Sequence, residues 1–280
     1  MSTRQFLRPI SQAGRLRPKL WRSSAIPIRQ ISNYARKTFT LNTGAQIPAI
    51  GCGTFQYKEQ QEGAVFEALK ADESLRDLQT DYIDLYLLHH PCTFARGEDR
   101  FPKGKDGLMR MGETTYVDTW KALQEIMKST EKIRAIGVSH FSRDEVETLI
   151  KAGMTPAVHQ MELHPFLSQK SFAAWHKSLG IHVQQFSPLG NMNSFYRDVY
   201  WSNGRVNFGR LLDEPVLSEI GAKYSKSPAQ VALAWGVNHG RSVIPKSTIP
   251  WQIRQNIESD FVLDEEDMDR IARLNADLRF

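Results

Sequence analysis

Two stretches of this chain carry side chains that could do chemistry. The first is TDYIDLYLLHHP, Thr80 to Pro91, an apolar, strand-like run that ends on two histidines. Side chains alternate along a strand, so Ile83, Leu85, Leu87 and His89 share one face and His90 points the other way. A histidine at the end of such a strand can orient or protonate a reacting group, or it can be a hydrogen-bonded part of the core; the residues alone leave both open. The second is SVIPKSTIP, Ser242 to Pro250, which ends a strand, presents Lys246 and Ser247, and opens a helix near Pro250. A cation, a hydroxyl and free backbone N–H groups at a helix start form an anion site. In β/α barrels such a site commonly follows the seventh or eighth strand, although a solvated lysine ahead of a helix is the plainer reading of this stretch alone.

Other stretches carry less. GCGTFQ, Gly51 to Gln56, follows a strand but lacks the third glycine of a dinucleotide-binding loop and the acidic residue on a second strand, so it reads as a tight strand exit. His159 and His164 in HQMELH lack the HExxH spacing of a zinc protease. Neither Cys52 nor Cys92 sits in a motif that marks a nucleophile. No metal ligands are assigned. Tyr200 and Trp201 in YRDVYWSNG read as packing residues rather than as the lining of a substrate loop.

The elements that must position these residues alternate between strand and helix. Apolar strands are expected at Ile47–Gly53, Tyr82–His89, Ile133–Ser139, Ala157–Glu162, His182–Ser187 and Ser242–Ile244. Ser142 followed by Glu145 makes a capping box, and Ser227 before Pro228 places a cap ahead of a first-turn proline. Val146, Leu149 and Ile150, and likewise Met268, Ile271 and Leu274, repeat at helical spacing. This alternation points to parallel β/α architecture, either a barrel or a doubly wound sheet.

Composition narrows the function classes. The 280 residues are 41% hydrophobic and 24% charged, which suits one large core. No apolar run approaches the ~20 residues of a membrane span, and two cysteines imply no disulfide framework. The net charge of +5 is unevenly spread: residues 1–37 hold nine Lys or Arg and no acid, leaving 27 basic residues against 31 acidic ones in the remainder, a net charge of −4. The body therefore has no basic footprint for nucleic acid. The acid-free N-terminal extension, residues 1–37, reads as a mitochondrial transit peptide, with an unaddressed basic tail on a cytoplasmic protein as the alternative.

Taken together, DYIDLYLLHHP, IRAIGVSHF, PAVHQMELHPFL, QQFSPLG and SVIPKS, in this order and at these separations, resemble the aldo-keto reductase family from about Lys37 to the C-terminus. The resemblance implies a TIM-type (β/α)8 barrel over residues 38–280 that binds NADP(H) without a Rossmann domain and reduces aldehydes, ketones or sugars. His89 matches the family's active-site histidine. Ser139, His140 and Gln160 match the residues that hold the nicotinamide carboxamide, with His140 standing where the family usually has asparagine. Phe186 replaces the tyrosine that stacks on the nicotinamide ring. Ser187 and Leu189 match the pyrophosphate loop, Lys246 and Ser247 the 2′-phosphate site, and Gln252 takes the place of a frequent arginine, with Arg254 two residues on. Asn256 completes the cofactor set. The glutamine weakens the preference for NADP(H) over NAD(H).

The resemblance also implies a gap. The family's tyrosine, lysine and aspartate belong to the second and third strands, yet only 28 residues separate Gly53 from Tyr82. One β/α/β unit takes ~30 residues or more. The second and third strands, on the order of 50 residues, are therefore expected to be missing at a join near Lys70 to Asp72, and the barrel to be incomplete. Tyr57 is a weak stand-in for the tyrosine, because no motif places a lysine beside it. Phe280 stands where many members continue into a C-terminal loop. Six strands would need a different closure or would leave open edges. A nicotinamide-binding protein without turnover is the competing expectation, and a chain that does not fold stably is the third.

Overall fold

The computed structural model describes residues 37–53, 80–95, 102–191 and 209–280, all within one unit, Tyr34–Phe280. The N-terminal extension, Tyr57, the join near Lys70 to Asp72, Tyr200 and Trp201 lie outside the described residues. Strands β1 (Thr38–Thr40) and β2 (Gln46–Pro48) pair as an antiparallel hairpin. Leu41 and Ile47 of this hairpin pack with Leu85, Leu87, Ala135, Ala157 and Val158, capping the ends at which the parallel strands begin.

Five parallel strands follow in order: β3 (Tyr86–Leu88), β4 (Ile136–Ser139), β5 (Val158–Glu162), β6 (His182–Phe186) and β7 (Ser242–Val243). They are shorter than the sequence predicts. Ile83 keeps only an isolated bridge to Ile133, and the stretch expected as one strand from Ile47 to Gly53 divides into β2 and a bridge from Ile50 to Val243. That bridged segment runs beside β7, with Val243 donating to the Ala49 carbonyl at 2.8 Å, Gly51 to the Val243 carbonyl at 2.9 Å and Gly53 to the Pro245 carbonyl at 2.9 Å. The ladder thus runs from Ile50 through β7, β6, β5 and β4 to β3. It does not close into a barrel among the described residues.

Helices cover the outer face: α1 (Tyr116–Ser129), α2 (Arg143–Lys151), α3 (Lys170–Ser178), α4 (Pro215–Tyr224), α5 (Pro228–Asn238), α6 (Pro250–Ile257) and α7 (Glu265–Ala272). The expected caps form: Ser142 and Glu145 bond reciprocally at the start of α2, and Ser227 and Gln230 at the start of α5. Trp120 and Leu123 of α1 and Val146 and Leu149 of α2 bury against Leu88, Ile136 and Val138, each contributing roughly 1.5–3 kcal/mol. A second layer joins α4, α5 and α7 through Leu217, Ile220, Val231, Trp235 and Ile271. Gly137 lets the central strands approach, since a Cβ there would lie 2.4 Å from the Val158 carbonyl and 2.7 Å from Leu87. No helix among the described residues is long and apolar enough to cross a membrane.

Candidate active site

Parallel pairing fixes which side chains meet at the C-terminal ends of the strands. Ser139 is level with Gln160, Gln160 with Gln184, and Glu162 with Phe186. The Gln160 amide donates to Gln184 Oε1 at 2.6 Å, which leaves the Gln160 carbonyl oxygen as an acceptor. Ser139 is buried and its hydroxyl lies 2.8 Å from His140 Nδ1. Gln184 was not singled out by the sequence; its signal is the register of β6 against β5.

His140 leaves β4 in a left-handed conformation, at φ 60°. Asparagine and histidine are among the few residues enriched there, which gives a physical reason why either suits this position. The turn swings the imidazole back over the sheet. Its Nδ1 lies 3.2 Å from the His89 carbonyl oxygen, and its ring centroid lies 4.8 Å from that of Phe186.

His89 and His90 follow β3, which ends at Leu88. Leu85 and Leu87 pack inward with the hairpin, while Tyr86 and Leu88 pack outward against α1 and α2, so the predicted alternation holds as far as the ladder lasts. Beyond Leu88 it fails. His90 does not point away: its ring stacks on His89 at 4.4 Å and lies 4.5 Å from His140. Pleated alternation is imposed by ladder hydrogen bonds, and these two residues lie past them. Partial desolvation among neighbouring groups lowers all three imidazoles, His90 to about 4, even though His140 keeps an exposed edge; mutual repulsion also lowers His89 and His90, while the His89 carbonyl opposes the shift at His140.

The residues predicted for the cofactor fall into two groups. Ser139, Gln160 and Phe186 line the strand ends, and His140, which touches Ser139 and Phe186, is the member that reaches His89. Ser187 begins the turn after β6 in a left-handed conformation, at φ 47°, and Gly190 donates to its carbonyl at 3.0 Å. The Leu189 side chain packs into the apolar layers around α5, so any contact it offers a pyrophosphate comes from its backbone. Lys246 is exposed. Ser247 donates to Gln252 Oε1 at 2.6 Å and accepts from the Ile249 N–H at 3.0 Å. Asn256 is buried on α6. Gly53 borders this second group closely: a Cβ there would lie 2.8 Å from the Ile244 carbonyl and 3.3 Å from Lys246 Cβ. The tight strand exit read from GCGTFQ therefore abuts the candidate anion loop.

The HQMELH pair does not form a metal site. His159 Nδ1 lies 2.6 Å from His176 Nε2, whereas His164 lies 3.1 Å from Glu162. Cys92 is exposed, yet partial desolvation and the nearby Glu145 raise its thiol pKa, which opposes thiolate chemistry.

Residues 56–276 match the model of the Aldo/keto reductase family. The chain is 41% identical over 210 residues to aldo-keto reductase family 1 member A1 of Sus scrofa, covering 74% of this chain and 62% of that protein. It is 39% identical over 212 residues to an uncharacterized oxidoreductase of Schizosaccharomyces pombe, covering 75% of this chain and 63% of that protein. The fold superposes on the aldose reductase of Schistosoma japonicum with a TM-score of 0.75 at 22% identity, over 87% of this chain and 93% of that one. The chain thus spans under two thirds of the length of these two curated relatives.

Proposed function

This chain belongs to the aldo/keto reductase family, and on that premise we propose that it is an NAD(P)H-dependent oxidoreductase that reduces small aldehydes, ketones or sugars to alcohols. The observation that carries the reading is the alignment of Ser139, Gln160 and Phe186 at the strand ends, which His140 joins to His89. The donor set suits a nicotinamide: Ser139 and the Gln160 oxygen offer a hydroxyl and an acceptor to a carboxamide, Phe186 offers a flat face, and Lys246 with Ser247 offers a cation and a hydroxyl to a phosphate. When bound, a nicotinamide would supply hydride to a carbonyl carbon, and the oxygen would take the balancing proton from His89 or from water that His89 positions. Neutral His89 can donate a ring N–H to the carbonyl oxygen, fixing its orientation and stabilising the charge that grows there. His140 lies against Phe186, so its ring must turn aside before another ring stacks on that face.

Loss of carbonyl-dependent NADPH oxidation in His89→Ala, with NADPH binding retained, is the expected result. A folded chain that neither binds NADPH nor turns over a carbonyl would sink the proposal.

One observation favours a second reading, cofactor binding without turnover. The four described tyrosines are committed to other contacts: Tyr82 lies under Arg134, Tyr116 packs edge-on against Phe141, Tyr86 joins the Trp120 layer, and Tyr224 bonds Asp267. Among the described residues the ladder ends at Ile50 on one side and β3 on the other, and the chain spans under two thirds of its relatives' length; with only 28 residues between Gly53 and Tyr82, this supports the reading that two β/α units are missing there. NADPH binding without turnover, at any enzyme concentration, would select this second reading. Residues 1–37 support a mitochondrial address, which a fluorescent fusion with and without them tests.

A further inference from the structure

We propose that His89, His90 and His140 form a three-imidazole site for a divalent transition-metal ion of the zinc class. One ring nitrogen from each lies within 4.8 Å of the others. Ligand nitrogens around zinc sit ~2.0–2.1 Å from the ion, so rotations that move ring atoms by on the order of 1 Å bring the three into a tripod. Two of the ligands are adjacent in sequence and the third is delivered by β4, which pairs with β3 in register.

The arrangement prepares one ligand in particular. His140 Nδ1 faces the His89 carbonyl oxygen at 3.2 Å and the Ser139 hydroxyl at 2.8 Å. A carbonyl only accepts, so the proton resides on Nδ1 and Nε2 keeps its lone pair for a metal. This is the outer-shell support that metal-bound imidazoles ordinarily have. His140 is exposed and His89 and His90 are half-buried, which leaves an entry path for an ion.

Imidazole donors suit zinc, copper, nickel and iron over magnesium or calcium. Glu162 supplies a negative field at His140 and Arg279 opposes it. The other five of the eight histidines do not join the cluster. His159 pairs with His176, His164 with Glu162, His182 with Ser242, and His239 packs on Trp235. The site does not depend on the reductase reading.

The test is calorimetric titration of the full chain with Zn2+, in a Cys52→Ser/Cys92→Ser background that removes two exposed thiols, together with the visible absorption of the Co2+ form. One ion per chain is expected, weakened in His90→Ala and in His140→Asn by more than the ~10–100-fold that loss of an outer-shell partner costs. Asparagine tolerates the left-handed backbone at 140, so that variant stays informative if His90→Ala unfolds. Absence of zinc binding, or affinity unchanged in His140→Asn, overturns the proposal.

Discussion

Ser247 gives its hydroxyl proton to Gln252 Oε1 at 2.6 Å, tying the loop after β7 to the first turn of α6. The amide occupies a hydroxyl that, on the proposed cofactor reading, would face a phosphate, and it brings no charge of its own. Gln252→Arg should release Ser247 and add a planar cation suited to phosphate. Fluorescence titration is expected to show NADPH binding tightened roughly 10-fold, about 1.4 kcal/mol, with NADH little changed. Equal tightening of both cofactors would show that the 2′-phosphate is not read here.

Lys246 is exposed beside Ser247 and close to Gly53. Hydrogen bonds to charged groups contribute about 1.5–3 kcal/mol, so Lys246→Ala should weaken NADPH binding by about 10- to 100-fold and NADH by far less. A parallel titration with both nucleotides measures the difference; identical losses would move the phosphate away from this lysine.

Trp120 is fully buried between α1 and the sheet, and its indole N–H donates to the Met154 carbonyl at 3.2 Å. Trp120→Ala should cost about 3–5 kcal/mol, read as a lower urea midpoint at unchanged slope. A loss under about 1 kcal/mol would mean that this layer collapses readily around a void.

Acid should destabilise the fold through histidines outside the candidate metal cluster, although His159 lies close enough to feel His140. Burial lowers His176 and His182 to about 4, and burial with the neighbouring His176 and His140 lowers His159 to about 3. The unfolded forms titrate near 6.5. Below that value the unfolded chain takes up protons that the folded chain refuses, so the stability held above pH 6.5 declines as pH falls toward 4 and on to 3. Thermal midpoints measured from pH 7 down to 4 should drop progressively. A flat profile would place these imidazoles in contact with water.

Much of this arrangement is legible in single residues. The capping boxes at Ser142 and Ser227 announce two helices, and the alternation of Leu85 and Leu87 with Tyr86 and Leu88 separates the inner from the outer face of β3. The grouping of Ser139, His140, Gln160 and Phe186 follows once the family resemblance aligns the strands. What sequence reasoning misses is His90. Its approach to His140 depends on a strand ending one residue before His89 and on a left-handed turn at His140, and neither leaves a periodic trace. Gln184 escapes for a related reason: its partner is chosen by parallel register, a relation between distant segments. The strand Ile47 to Gly53 reads as continuous because apolar residues run through it, yet Pro48 ends the hairpin and the backbone re-pairs with β7 only at Ile50.

That re-pairing sets an order of events during synthesis. Ile50 leaves the ribosome early, but the strand it lies against, at Val243, is made only after nearly all the rest of the body. Contacts of such long sequence separation slow folding, and the early segment, with Ala49 and Ile50 destined for the layer of Leu233, Val237 and Val243, must wait with its apolar side chains uncovered. Nascent chains of this protein should therefore engage chaperones until β7 emerges, and release from them should coincide with the translation of the Ser242 to Pro250 segment.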